Sequence, residues 1–281
     1  MRAGSSWIAG GPLGDPDRAY DNLGAIPDAA SYPPRWSAAA AAFRAERAAA
    51  GRARLGLPYG AGERHAYDLF LPEGEPAGLA VYVHGGYWKA FDRSVWSHLA
   101  AGALAHGHAV AIPSYTLCPA ARIAAITGEI AAFLDRAGAE VAGPIRLAGH
   151  SAGGHLVTRM LCPDVALACA ARIERVVSIS GVHDLRPLLG TGLNAVLQLD
   201  PAEARAESPA LREPRPGSRL IAVAGAEELP EFRRQSALLP AIWHGLGART
   251  EAFEAAGRHH LTVIDPLADP DSVLTRALVG G

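Results

Sequence analysis

Short apolar runs alternate with amphipathic stretches along most of the chain. Runs with β-strand character lie at 66–71, 79–83, 108–112, 144–148, 174–180, 219–224 and 249–253. Stretches with apolar residues at three- and four-residue spacing lie between them, at 94–106, 121–138, 153–161, 201–206 and 231–246. That spacing predicts helices. Strands and helices that alternate in this way are typical of an α/β fold, in which helices cover both faces of a mostly parallel sheet.

The first 60 residues have a different pattern. They contain six prolines around one Ala-rich helix, which the sequence predicts over 36–50. A helix this weakly amphipathic needs a partner surface to be stable. We therefore expect residues 1–60 to form an N-terminal cap segment. It would pack on a larger domain formed by residues 61–281 and cover the mouth of its active site.

Composition narrows the classes of partner and the cellular location. The chain has 281 residues, with 26 Lys and Arg against 28 Asp and Glu, and no basic stripe. Neither nucleic acid nor an anionic membrane surface is therefore expected as a partner. No apolar run is long enough to span a bilayer, and the N-terminus has no signal-peptide pattern, so we expect a cytoplasmic protein. The three cysteines lack metal-ligand spacing, and no nucleotide-binding motif occurs, so neither a metal nor a cofactor is predicted.

The segment GHSAG at 149–153 carries the strongest chemical signal. It follows a predicted strand and precedes a helical pattern. A G-x-S-x-G motif in this context is typical of a nucleophile elbow, where small flanking residues allow a turn sharp enough to expose the serine hydroxyl. Ser151 is therefore the predicted nucleophile.

A serine nucleophile needs a histidine base and a carboxylate that orients it, in the chain order serine, acid, histidine. Glu227 and Glu228 follow the predicted strand at 219–224. His259 and His260 follow the last predicted strand. Position alone leaves open which glutamate and which histidine take these roles.

Two glycines end the strand at 79–83 and predict an oxyanion hole. Gly85 and Gly86 follow His84, and without a Cβ their backbone amides are free to turn toward a pocket. The amide of Ala152, directly after the nucleophile, is the expected third donor.

Five segments give the chain a resemblance to a known family. They are HGGYW at 84–88, YTLCP at 115–119, GHSAGGH at 149–155, SGVHDLRPL at 180–188 followed by Asn194 and SPA at 208–210, and EFRRQS at 231–236. With them, the chain resembles the arylformamidase (kynurenine formamidase) branch of the α/β-hydrolases, close to the esterase/lipase group with an HGG loop. The resemblance covers about residues 20–270. It implies an α/β-hydrolase fold, with Ser151 as nucleophile, Glu228 as acid and His260 as base.

The resemblance also implies an activity. The family hydrolyses N-formyl-kynurenine to kynurenine and formate, which here would pass through a formyl-enzyme on Ser151. Tyr87 and Trp88 offer flat surface for an aryl leaving group, and Asn22 and Asn194 are the other expected substrate-binding residues. A carboxylesterase for small acyl or aryl esters uses the same machinery and is the alternative. The expected partner is a small-molecule substrate, and a homodimer is left open.

Lys89 is the only lysine in the chain and directly follows HGGYW. A cation at this position would attract the α-carboxylate of N-formyl-kynurenine. The alternative is a solvated surface lysine, left by a composition biased toward arginine.

Overall fold

Eight strands form one sheet in the computed structural model, which describes residues 14–280. The strands are β1 (Ala53–Pro58), β2 (Ala66–Phe70), β3 (Leu79–Val83), β4 (Ala109–Pro113), β5 (Ile145–His150), β6 (Ile173–Ile179), β7 (Arg219–Gly225) and β8 (Arg249–Ala255). Their spatial order is β1-β2-β4-β3-β5-β6-β7-β8. β2 runs antiparallel to β1 and β4, and the other pairings are parallel. The predicted α/β class is therefore confirmed.

The helices flank this sheet on both faces. The α-helices are α1 (Pro16–Ala19), α2 (Asn22–Ala25), α3 (Tyr32–Ala49), α4 (Ala101–Ala105), α5 (Ile123–Glu140), α6 (Ala152–Arg159), α7 (Asn194–Leu197), α8 (Pro201–Ala206), α9 (Pro230–His244) and α10 (Val273–Val279). Short 3-10 helices lie at Ala29–Ser31, Arg93–Val95, Ser97–Ala100, Ala170–Arg172, Arg186–Gly190, Pro209–Leu211 and Asp265–Ala268. Within residues 14–280, no helix combines the length and the apolar character that crossing a membrane requires.

The central strands are buried on both faces. In β3, Val81 belongs to one apolar cluster, while Ala80 and Tyr82 belong to another. Helices α5, α6 and α9 complete the first cluster, and α4, α10 and the 3-10 helix at Ser97–Ala100 complete the second. Parallel strands covered on both faces consist of continuous apolar runs, which is why the sequence pattern located them.

β1 is the one strand that the sequence pattern missed. It lies at the edge of the sheet, its residues are mostly exposed, and its register shifts between Arg54 and Leu57. An edge strand of this kind has no continuous apolar run to detect. Because β1 pairs with β2, the predicted boundary at residue 60 falls after the sheet has begun. Residues 1–13 of the predicted 1–60 segment lie outside the described residues.

The cap helices, α1 to α3 at residues 16–49, are fixed to the sheet domain at both ends. At one end the Tyr20 hydroxyl donates to Oε1 of Glu231 at 2.6 Å and accepts from Nε2 of Gln235 at 3.2 Å. Both partners lie on α9. At the other end Trp36 packs against Trp96, with ring centroids 4.8 Å apart, and α3 leads directly into β1.

A buried ion pair connects α6 to α5. Arg159 on α6 is 2% exposed, and its Nε lies 3.1 Å from Oε2 of Glu207. The same oxygen accepts the hydroxyl of Thr127 on α5 at 2.7 Å. Asp164, which is exposed, also pairs with this guanidinium. Glu207 therefore neutralises a buried cation and joins two helices.

We expect Glu207→Ala to lower the free energy of unfolding by about 3 kcal/mol, because a buried cation loses a partner while Asp164 still offers the other. Urea denaturation would measure the change. The control is Glu73→Ala, which removes an exposed ion pair with Arg52 and should change the unfolding midpoint little. Equal midpoints for the two variants would contradict a stabilising role for Glu207.

Candidate active site

Ser151 occupies a strained turn between β5 and α6. Its backbone has φ 55° and ψ −117°, a conformation that residues with a side chain rarely adopt. Two hydrogen bonds hold the turn: the Ser151 amide donates to the carbonyl of Ile179 at 2.8 Å, and the Ser151 carbonyl accepts from the amide of His155 at 3.1 Å. Strain of this kind clusters at functional sites, where the surrounding structure maintains it.

The glycines on either side of Ser151 are required by close backbone contacts. A Cβ on Gly149 would lie 2.1 Å from the carbonyl oxygen of Gly153. A Cβ on Gly153 would lie 2.0 Å from the carbonyl oxygen of Val83 in β3. Neither contact can be relieved by moving a side chain, because the obstacle is backbone. The G-x-S-x-G spacing thus follows from how closely α6 packs on β3 and β5.

The structure brings Glu228 and His260 together. Glu228 lies in the turn after β7 and His260 follows β8, and Nδ1 of His260 is 2.7 Å from Oε2 of Glu228. Glu227 is exposed instead, and Nε2 of His259 lies 3.1 Å from the hydroxyl of Tyr32. Of the two glutamates and two histidines that chain position left open, only Glu228 and His260 form a pair.

Ser180 is a polar partner of this pair to which the sequence analysis gave no role. Its hydroxyl donates to Oε1 of Glu228, which also accepts the amide of Gly225 at 2.6 Å. Both carboxylate oxygens of Glu228 are thus occupied, and its side chain is fully buried. The carboxylate is fixed in place and leaves Nε2 of His260 as the ring nitrogen free to act.

Ser151 and His260 line the same cavity. Within residues 14–280, the Ser151 hydroxyl makes no hydrogen bond, so the link from serine to histidine is open in this structure while the link from histidine to Glu228 is made. Catalytic hydrogen bonds are often longer in unliganded sites than in the complex with substrate.

His150 brings a second imidazole beside His260. The two ring centroids are 4.6 Å apart. Burial first, and the neighbouring His260 second, keep the pKa of His150 well below its usual range. His150 is therefore neutral near pH 7, and it places no fixed positive charge next to the base.

The predicted oxyanion donors lie against the nucleophile. A Cβ on Gly85 would come within 3.0 Å of the Cβ of Ser151, and Gly86 has a positive φ of 106°. Within the described chain, the amides of Gly85, Gly86 and Ala152 donate no hydrogen bond. Three unpaired donors beside a serine are what a developing oxyanion requires.

Tyr115, in the segment YTLCP, contacts His84, the first residue of the HGG segment. Its ring stacks on that of His84 at a centroid distance of 4.4 Å, and its hydroxyl donates to the carbonyl of His84 at 3.0 Å. Burial lowers the pKa of His84 to about 4. A neutral, stacked imidazole therefore holds the start of the HGG segment.

The cavity above Ser151 has a volume of about 600 Å³, and the cap helices form much of its wall. Its apolar lining consists of Leu23, Ile26, Pro33, Trp36, Phe91, Trp96 and Leu261, among others. Leu23, Ile26, Pro33 and Trp36 come from the first 60 residues. These residues contribute to the cavity wall, and the role of the segment 1–60 as a cover of the active-site mouth stays a prediction.

Two of the four expected substrate-binding residues line this cavity. Asn22 and Tyr87 do so, and Nδ2 of Asn22 lies 3.4 Å from the hydroxyl of Tyr87. Trp88 is fully buried and packs edge-on against His155, with centroids 5.2 Å apart. The Asn194 side chain bonds both the amide and the carbonyl of Leu199, at 2.8 and 3.1 Å. The predictions for Trp88 and Asn194 are wrong, because core packing and a local turn occupy these side chains.

No protein-family model matches the sequence. Kynurenine formamidase from Danio rerio is 25% identical over 236 residues, which are 80% of this chain and 80% of that protein. The crystal structure of a candidate thioesterase from Silicibacter sp. TM1040 is 50% identical, covers 93% of this chain and 98% of its own, and superposes with a TM-score of 0.89. An esterase from Pyrobaculum calidifontis is 17% identical, with a TM-score of 0.63 over 91% of this chain and 93% of its own, and so shares the fold.

These relatives agree with the geometry of the site. They are similar to the chain over most of its length, and their names describe hydrolysis of a formamide, a thioester and an ester. The chain belongs to the α/β-hydrolases and is a hydrolase, and it is similar to the kynurenine formamidases over about 80% of its length.

Proposed function

We propose that this hydrolase cleaves an aryl formamide, N-formyl-kynurenine, to kynurenine and formate through a formyl-enzyme on Ser151. The observation that supports the mechanism is that Ser151 and His260 line one cavity, that His260 is paired with Glu228, and that three unpaired amides follow Ser151 and His84. The similarity to kynurenine formamidase over 80% of both chains supports the substrate.

In the first half of the reaction, the hydroxyl oxygen of Ser151 attacks the formyl carbon while Nε2 of His260 takes the hydroxyl proton. Glu228 holds the Nδ1 proton and stabilises the imidazolium that forms. The amides of Gly85, Gly86 and Ala152 bind the carbonyl oxygen as it becomes negative. When the intermediate collapses, the carbon–nitrogen bond breaks, His260 returns the proton to the aniline nitrogen, and kynurenine leaves.

In the second half, water attacks the formyl ester on Ser151. His260 takes a proton from the water, and the same amides bind the second oxyanion. Breakdown of this intermediate releases formic acid, which ionises to formate in water, and the serine oxygen recovers its proton from His260. The protein ends each cycle unchanged, with the Ser151 hydroxyl and the neutral His260 ring restored.

A carboxylesterase acting on small acyl or aryl esters is the alternative. The same steps apply, with an alcohol or phenol as leaving group in place of an aniline. The name of the Silicibacter protein, a candidate thioesterase that is 50% identical, favours hydrolysis of an acyl ester over hydrolysis of a formamide. The aromatic side chains of Trp36, Phe91 and Trp96 on the cavity wall suit an aryl leaving group in either reaction.

We expect Ser151→Ala to lower kcat by at least about 10³-fold, as the loss of a nucleophile does in hydrolases with a catalytic triad. Steady-state kinetics on N-formyl-kynurenine and on p-nitrophenyl acetate would measure it. Ser218→Ala is the matched control, since the Ser218 hydroxyl is buried without a partner and does not line the cavity. Activity retained in Ser151→Ala would contradict the acyl-enzyme mechanism.

The adjacent glutamates offer a second test. Glu228→Gln should lower kcat by about 10⁴-fold, because an amide no longer holds the imidazole in the tautomer that accepts the serine proton. Glu227→Gln should leave kcat unchanged, because Glu227 is exposed and His260 pairs with its neighbour. Equal losses in the two variants would mean that the acid is assigned to the wrong residue.

Comparison of substrates separates the two proposed activities. We expect kcat/KM to be higher for N-formyl-kynurenine than for short p-nitrophenyl esters, although these esters have much better leaving groups. The reason is that the cavity binds the leaving group as well as the acyl group, and this binding energy is used in the transition state. Higher values for the esters would make the carboxylesterase the better description.

A further inference from the structure

A basic and an acidic side chain line a cavity that is otherwise mostly apolar. They are Lys89, which follows the oxyanion loop, and Asp28, which comes from the cap helices. The remaining titratable residues on the wall are Tyr87, His150 and His260. A ligand in this cavity therefore meets the reacting groups in one region and a cation and an anion elsewhere on the wall.

Neither charge has a partner in the described part of the chain. Both side chains are exposed, and within residues 14–280 neither takes part in a hydrogen bond or an ion pair. Asp28 precedes the 3-10 helix at Ala29–Ser31, yet its carboxylate does not cap that helix. The usual structural uses of a carboxylate, capping and ion pairing, are thus absent at Asp28.

The backbone fixes where both charges stand. The Lys89 amide donates to the carbonyl of Gly86 at 3.0 Å, and the preceding residues Tyr87 and Trp88 have positive φ. Trp88 is buried in the core and holds this turn in place. Asp28 also has a positive φ, 55°, and its carbonyl accepts the amide of Ser31 at 2.8 Å. Both residues thus line one cavity, each from a turn that a backbone hydrogen bond closes.

We propose that Lys89 and Asp28 form a subsite for the zwitterionic head of a free α-amino acid. Lys89 binds the carboxylate, and Asp28 binds the ammonium group. The two side chains are then the residues that determine specificity for the amino-acid end of the substrate. The inference rests on the proposed function for the position of the scissile bond at Ser151 and for N-formyl-kynurenine as the substrate that carries this end.

The pair favours a zwitterion because Lys89 repels a cationic group and Asp28 repels an anionic group. A ligand with only a carboxylate gains from Lys89 and is repelled by Asp28. A neutral ligand meets neither effect. Because both side chains are exposed, each contact is screened by water and salt, so the selectivity per charge is modest.

The test uses Lys89→Gln and Asp28→Asn, which remove charge with little change of shape. With N-formyl-kynurenine, each variant should raise KM about two- to five-fold, the range for an exposed charge pair, and leave kcat unchanged. With N-formylanthranilate, which has only the carboxylate, Lys89→Gln should raise KM and Asp28→Asn should lower it. With formanilide, which is neutral, neither should change KM. All effects should weaken as salt is added.

Glu46→Gln serves as the control, because Glu46 is an exposed carboxylate on α3 of the same cap helices and does not line the cavity. It should change KM for none of the three compounds. A structural role for Asp28 would move KM in the same direction for all ligands, so the change of sign between the zwitterion and the anion is the deciding result. Equal effects on all three compounds, or none on the zwitterion, would overturn the subsite.

A pair of esters separates failure of the subsite from failure of the proposed function. O-acetyl-tyrosine carries the zwitterionic head on an aryl ester, and phenyl acetate lacks it. If the formamides are not cleaved, the proposed function fails, while the charge effects on O-acetyl-tyrosine still test the subsite. If no compound is cleaved, calorimetric titration of L-kynurenine into the protein and both variants decides, and binding that the variants do not weaken overturns the subsite.

Discussion

The close approach of α6 to the backbone of β3 and β5 is the constraint on which the site depends. With no Cβ at Gly149 or Gly153, the start of α6 comes to van der Waals distance of the neighbouring strand. The chain then has to turn sharply, and Ser151 takes the strained conformation that results. The same closeness brings the loop at Gly85 against Ser151, so the oxyanion donors and the nucleophile are consequences of one packing arrangement.

The parallel order of the strands positions the acid and the base. β6, β7 and β8 are consecutive neighbours, and the residues that follow their ends are Ser180, Glu228 and His260. A chain of hydrogen bonds therefore runs across three strand ends, from a serine to a carboxylate to an imidazole. Residues far apart in sequence meet there because the carboxyl ends of parallel strands lie at one edge of a sheet.

The sequence analysis identified the elements that produce a pattern within a few consecutive residues. Buried strands appear as apolar runs, and the elbow and the glycine pair are short motifs with a direct steric meaning. It missed β1, whose exposed edge gives no apolar run. It predicted Trp88 as a substrate-binding residue. The segment HGGYW does not indicate the positive φ values at Tyr87 and Trp88 that direct this indole into the core. Nor could the sequence analysis pair Lys89 with Asp28, since only folding of the cap helices brings the two to one cavity.

The attachment of the cap helices at both ends has a mechanical consequence. Tyr20 is tied to α9 through Glu231, and α3 continues covalently into the edge strand β1 at the opposite side of the sheet. A segment that is attached at one end can rotate away from the cavity about a hinge, whereas a segment that is attached at both ends cannot. The folded position of the cap helices therefore determines the cavity volume of about 600 Å³, and that volume limits the size of the leaving group.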